Sequence, residues 1–177
     1  SDDAVRRISS EWQEAIHRDY NHPCIVVWVP INESWGVPGL LTDPRQRAHL
    51  LSLYNLTKSL DPTRLVIDND GWEHTITDLF TIHDYESSKE VLKERYRFIS
   101  NILSFMPGGR LLHTPGFGYR GEPILVTEFG GIAYQRDVAE GWGYSVATSE
   151  TDFAERYYKV VSALLESPLI QGFCYTQ

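Results

Sequence analysis

Cysteine is scarce, with Cys24 and Cys174 the two thiols among 177 residues. Each lies within an apolar run and neither stands at ligand spacing from another Cys or His. That argues against a disulfide framework and a structural zinc site and predicts two buried free thiols. Long apolar runs are lacking as well, and none approaches the roughly 20 residues of a membrane-spanning helix. Positive charge is in short supply: 16 Lys and Arg stand against 24 Asp and Glu, a net charge of −8. Nucleic acid and anionic membrane both demand clustered cations, so neither is expected as a partner. Ser1-Asp2-Asp3 has neither the basic nor the apolar region of a signal peptide. No glycine-rich phosphate loop follows an apolar run, which removes support for a nucleotide-binding sheet. No internal repeat or low-complexity tract is present.

What remains is a globular chain of single-domain length, 42% hydrophobic and 23% charged. Its aromatic share, 12% with five Trp, exceeds what a core of this size needs. Trp and Tyr in excess commonly line a surface that grips something flat and amphipathic, such as a sugar ring.

Helical patterns alternate with short apolar runs. Val5, Ile8, Trp12 and Ile16 predict an amphipathic helix over 4–20, ended by Asn21-His22-Pro23. The run 24–31, CIVVWVPI, predicts a strand buried on both faces, with Trp28 in the core. Thr42-Asp43-Pro44 opens a helix reaching Leu60. Strands are expected at 64–68, 79–83, 123–128 and 169–175, and helices at 89–105 and 149–165. The segment 106–122 is rich in Gly and Pro and reads as loop.

Strict alternation of this kind means a parallel sheet with helical crossovers. Polar clusters stand at the ends of the strands: Asn32-Glu33, Asp68-Asn69-Asp70, His83-Asp84-Tyr85, Thr127-Glu128 and Thr176-Gln177. A row of polar strand ends is the catalytic rim of a (β/α)8 barrel, a fold that takes about 250 residues. The chain is therefore expected to be α/β, a partial TIM barrel comprising roughly strands four to eight with their helices. It reads as one domain, residues 1–177, the C-terminal portion of a catalytic barrel.

Glu33 and Glu128 each follow a buried apolar strand and would project into one mouth. Two carboxylates facing across an aromatic-lined cleft are what glycoside hydrolysis requires: one protonated to donate to the leaving oxygen, one ionised to attack the anomeric carbon. Trp72, in Gly71-Trp72-Glu73-His74, is a candidate sugar platform or a core residue. Trp142, in Gly141-Trp142-Gly143-Tyr144, is a candidate lid residue. Asp68 and Asp70 read as turn caps.

His17-Arg18-Asp19-Tyr20-Asn21-His22-Pro23, followed by an apolar strand and Asn32-Glu33-Ser34, resembles the acid/base signature of glycoside hydrolase family 2. Pro123-Ile124-Leu125-Val126-Thr127-Glu128-Phe129-Gly130-Gly131 is similar to the nucleophile strand of that family. The family includes β-galactosidases, β-glucuronidases and β-mannosidases. The resemblance implies Glu33 as general acid/base and Glu128 as nucleophile, with Asn32 bonding the sugar 2-hydroxyl. It implies retention of configuration, for which the carboxyl groups stand about 5–5.5 Å apart. His83 and Tyr85 are then expected to face the sugar. His83 also reads as a hydrogen-bonded structural histidine, and Tyr85 either orients Glu128 through its hydroxyl or packs. Tyr175 stands where many members carry Trp, at the floor of the sugar pocket.

No cofactor is required by this chemistry, although the resemblance brings Mg²⁺ and Na⁺ into view because some β-galactosidases of the family use them. A carbohydrate substrate is the expected partner. Open strand edges would favour a homo-oligomer or association with the remaining barrel half. Three other readings stand beside the first: another retaining β-glycosidase of the same barrel clan, an inactive half-barrel fragment, and a sugar-binding module. Retention of both glutamates speaks against the last. Arg45, Arg47 and Arg136 are candidates for meeting an acidic sugar.

Overall fold

The computed structural model describes residues 1–134 and 143–176. The chain forms two compact units, Ser1–Phe80 with Arg110–Glu122, and Thr81–Gly109 with Pro123–Gln177.

The first unit opens with α1 (Asp2–Asp19), capped by the Ser1 side chain, which accepts from the Ala4 N–H, with Asp2 and Asp3 placing negative charge in its first turn. Two short strands follow, β1 (Val27–Trp28) and β2 (Ile31–Asn32), then α2 (Pro44–Leu60), then β3 (Leu65–Val66) and β4 (Asn69–Asp70). Asp43 caps α2, accepting from the Arg45 N–H, with Pro44 in the first turn. β1 pairs in parallel with β3, Trp28 opposite Val66, and β2 with β4, Asn32 opposite Asp70. One core cluster joins Ile31, Val37, Leu40, Leu50 and Leu53 against Ile8 and Trp12; another joins Ile16, Trp28 and Val66. Trp28 is thus a core residue, as expected, while Val5 at the start of the same helical stripe is 41% exposed.

The expected strand over 24–31 is broken. Pro30 supplies no N–H to a ladder, and the chain before Val27 is held as a turn. The Arg64 guanidinium gathers the carbonyls of Tyr20, His22 and Ile25 at 2.9, 3.1 and 2.7 Å. Arg64 is itself fixed by Asp61 at 2.6 Å. Burial on both faces fails with the strand: Val26 is 73% exposed and Cys24 is exposed. Cys174 is exposed too, so neither thiol is buried as expected.

The second unit is built on β5 (Phe80–Asp84), β6 (Ile124–Gly130) and β9 (Ile170–Thr176), hydrogen-bonded in that order. β6 and β9 run parallel. Between β6 and β9 lie β7 (Ile132–Ala133), β8 (Ser145–Val146) and α5 (Glu150–Leu165), the helix capped by Ser149. The helix expected over 89–105 is two, α3 (Lys89–Arg95) and α4 (Ile99–Ser104). The break follows Tyr96, whose fully buried side chain donates its hydroxyl to Asp84 at 2.8 Å. Asp84 also takes Arg95 at 2.6 Å. Satisfying that buried carboxylate outweighs a few residues of helical continuity. Among the described residues no helix is long and apolar enough to cross a membrane.

Candidate active site

In the first unit, β2 ends in Asn32, exposed, and the chain turns at once through Glu33 and Ser34. Both residues have left-handed backbone, φ 52° and 60°. For residues with a Cβ this costs about 1–2 kcal/mol each, so the turn persists only because its surroundings impose it. Glu33 N–H donates to the Asp70 carbonyl at 3.0 Å and Trp35 N–H to the Asn32 carbonyl at 2.9 Å. Ser34 is buried; its N–H donates to Asn69 Oδ1 at 2.8 Å and its hydroxyl to Glu73 Oε2 at 2.5 Å. Asn69 Nδ2 donates to Ser34 Oγ and to the Trp72 carbonyl. The parallel register of β2 and β4 places Glu33 and the 69–73 segment at one edge of this unit.

Trp72 is half-buried there, with the Arg110 guanidinium 5.8 Å from its ring. Asp68, expected as a turn cap, closes the 68–75 loop from a fully buried position. It accepts the Thr75 N–H and hydroxyl at 2.6 and 2.8 Å and lies 2.8 Å from His74 Nδ1. Arg45 and Arg47 are engaged in the first turn of α2, Arg45 with Asp43 and Arg47 with the Leu40 carbonyl.

In the second unit, β5 delivers His83 and Tyr85, and β6 delivers Glu128. The β6–β9 register shifts between Val126 and Phe129, which face Phe173 and Tyr175. Three steps on β6 meet two on β9, a bulge at Thr127-Glu128. A bulge breaks strict alternation and re-aims a side chain. The Tyr85 hydroxyl donates to Glu128 Oε2, and buried His83 has Nδ1 3.5 Å from the same oxygen. Of the two readings of Tyr85, the hydroxyl contact with Glu128 is present, and the ring also stacks on Tyr144 at 3.8 Å.

Tyr175 packs over Gly130, whose φ is +94° and whose added Cβ would stand 2.2 Å from the Tyr175 ring. Only glycine fits between this ring and the strand. The Tyr175 hydroxyl accepts from the Ile132 N–H at 3.4 Å, and burial raises its pKa. Trp142 and Arg136 lie outside the described residues. The structure thus gathers Asn32, Glu33 and Trp72 in one unit and His83, Tyr85, Glu128 and Tyr175 in the other.

Sequence reading assigned no individual role to Ser34, Asn69, Glu73 or Arg110. The acid in Gly71-Trp72-Glu73-His74 was the available signal, but its burial appears only in the structure and its partner lies 39 positions away.

The model of the glycosyl hydrolases family 2 TIM barrel domain matches residues 2–130. The chain belongs to glycosyl hydrolase family 2. Among solved structures, it resembles a Faecalibacterium prausnitzii β-glucuronidase at 21% identity and a TM-score of 0.61, over 97% of this chain and 28% of that one. A Bifidobacterium dentium β-glucuronidase complexed with coumarin-3-O-glucuronide gives 22% and 0.63, over 97% and 27%. An Eisenbergiella tayi β-galacturonidase bound to glycerol gives 20% and 0.64, over 98% and 29%. At these identities the likeness is one of fold. The chain spans less than a third of the length of these three proteins. No curated protein matches the chain.

Proposed function

We propose that the chain carries the catalytic rim of a retaining glycoside hydrolase acting on β-linked sugars by double displacement. Glu128 is the nucleophile. The Tyr85 hydroxyl, donating to one of its oxygens, stabilises the carboxylate and aims it. Glu33, on its imposed turn, protonates the leaving oxygen and then deprotonates the water that releases the sugar. Asn32, beside it, bonds the 2-hydroxyl, a contact that strengthens as positive charge develops at the anomeric carbon. Trp72 and Tyr175 offer flat faces to the ring. Proton transfer and nucleophilic attack both come from carboxyl groups, so the reaction needs no cofactor.

The observation that carries this reading is the Tyr85–Glu128–His83 cluster. An acid on a strand bulge, received by a tyrosine hydroxyl and a buried histidine, is an arrangement that a plain structural glutamate does not need. The finer choice among β-galactoside, β-glucuronide and β-galacturonide is a matter for substrate. The test is hydrolysis of a panel of nitrophenyl β-glycosides by the full-length protein, repeated with Glu128→Gln. One sugar should dominate, and the variant should lose roughly a thousandfold or more in kcat. Turnover by Glu128→Gln within tenfold of the parent would refute the assignment.

A further inference from the structure

We propose that Glu73 is a positioning residue for Glu33, acting through the Ser34 hydroxyl and itself held by Arg110. The proposal rests on Glu33 being the proton donor. Glu73 is 1% exposed, and a carboxylate so far from water must have fixed partners. Its two oxygens are divided between two tasks. Oε2 accepts the Ser34 hydroxyl at 2.5 Å, and Oε1 accepts from Arg110 Nη1 at 3.1 Å. The Glu73 N–H also donates to the Leu111 carbonyl at 2.9 Å, so backbone and side chain are both tied to the 110–122 segment. Glu73 has left-handed backbone of its own, φ 50°, held by the Leu111 contact on its N–H and the two contacts on its carboxylate.

The consequence falls on the turn. Ser34 is gripped at its N–H by Asn69 and at its hydroxyl by Asn69 and Glu73. Without those contacts Glu33 and Ser34 would relax toward right-handed backbone. That relaxation rotates the Cα–Cβ bond of Glu33 and carries its carboxyl away from the leaving oxygen. Proton transfer requires placement within a few tenths of an ångström. A charged acceptor holds the hydroxyl more strongly than a neutral one, which explains a buried glutamate where a glutamine would fill the space. Arg110 supplies the counter-charge and joins Trp72, over whose ring it lies, to the same assembly.

The test uses the full-length protein with Ser34→Ala, Glu73→Gln and Glu33→Gln, on two β-glycosides of its preferred sugar. One carries 2,4-dinitrophenolate, a leaving group that needs no proton; the other carries a simple alcohol, which does. Ser34→Ala and Glu73→Gln should lower kcat/KM on the alkyl glycoside at least tenfold more than on the dinitrophenyl glycoside, in the same sense as Glu33→Gln. The double variant should be no worse than the poorer single within about threefold, because both act on one contact. Equal losses on the two substrates, or no loss, while Glu33→Gln discriminates between them, would overturn the role of Glu73 and leave Glu33 in place. Absence of discrimination by Glu33→Gln itself would overturn both. Ser34→Ala leaves the Glu73–Arg110 pair intact, so it carries the test even where Glu73→Gln fails to fold.

Discussion

Glu33 stands on a turn after a two-residue strand, in backbone that residues with a Cβ avoid, and side chains from the 69–73 segment keep it there. Glu128 stands inside a seven-residue strand paired to its neighbour, its direction set by a bulge and its oxygen received by Tyr85. One carboxylate is placed by side-chain clamps and the other by a hydrogen-bonded ladder. In the proposed reaction, the proton donor and acceptor would be aimed at an oxygen outside the sugar ring, and a turn offers more directions than a strand. The proposed nucleophile would need one fixed line of attack, which a strand ladder can hold. Each unit also holds a buried Asp–Arg pair. Asp61 takes Arg64, Trp28 Nε1 and Thr63; Asp84 takes Arg95 and Tyr96. Asp61 stands at the C-terminal end of α2 and receives the Trp28 indole from β1, whereas Asp84 is flanked in sequence by His83 and Tyr85.

The contrast between the two glutamates breaks most visibly under azide. Glu33→Gly and Glu128→Gly should each lose a thousandfold or more in turnover, on the order expected for removing a reacting group. With a dinitrophenyl β-glycoside, azide should restore the first variant to a β-glycosyl azide and the second to an α-glycosyl azide. The same anomer from both would erase the distinction of roles.

The buried pairs sharpen the contrast between units. Asp61→Ala and Asp84→Ala should each cost about 3–5 kcal/mol, the usual penalty for orphaning a buried ion, read as an earlier unfolding transition in the full-length protein. At a temperature where both variants are folded, Asp84→Ala should also lower kcat, while Asp61→Ala should leave it near the parent value. Equal kcat in the two would show that Asp84 does not support Tyr85. Removing one charge-assisted hydrogen bond in Tyr85→Phe should cost about 1.5–3 kcal/mol, roughly tenfold to a hundredfold in kcat. An unchanged kcat would make Tyr85 a packing residue.

The smallest effect is one of pH, confined to the first unit. Burial, with the nearby His74 second, lowers the His113 pKa to about 4; its ring stacks on Phe80 at 4.9 Å. A histidine with an unfolded pKa near 6.5 then binds its proton more readily when unfolded. Stability is therefore full above about pH 6.5 and declines as pH falls toward 4. His113→Phe should flatten that decline, and an unaltered acid profile would refute the role of this ring.

Much of the helical frame was legible. Apolar spacing of three and four marked α1, Thr42-Asp43-Pro44 announced the start of α2, and the span expected at 149–165 is met by α5. The tract 89–105 misled because its periodicity continues through the break, which is set by Tyr96 reaching an aspartate on another element. The run 24–31 misled because apolar content does not reveal that Arg64, some 40 positions on, holds the chain before it as a turn. Exposure of Cys24 and Cys174 follows from the same source: burial depends on which elements arrive, not on the neighbours in sequence.

By itself the sequence determined the α/β alternation, the family and the two glutamates at strand ends, because period, turn chemistry and motif are local properties of consecutive residues. Tertiary structure alone decided that Ser34 meets Glu73, that Tyr85 meets Glu128 and that a bulge falls at Thr127-Glu128. Those facts depend on strand register and on buried charges finding partners, and both are settled only when distant stretches of chain pack together.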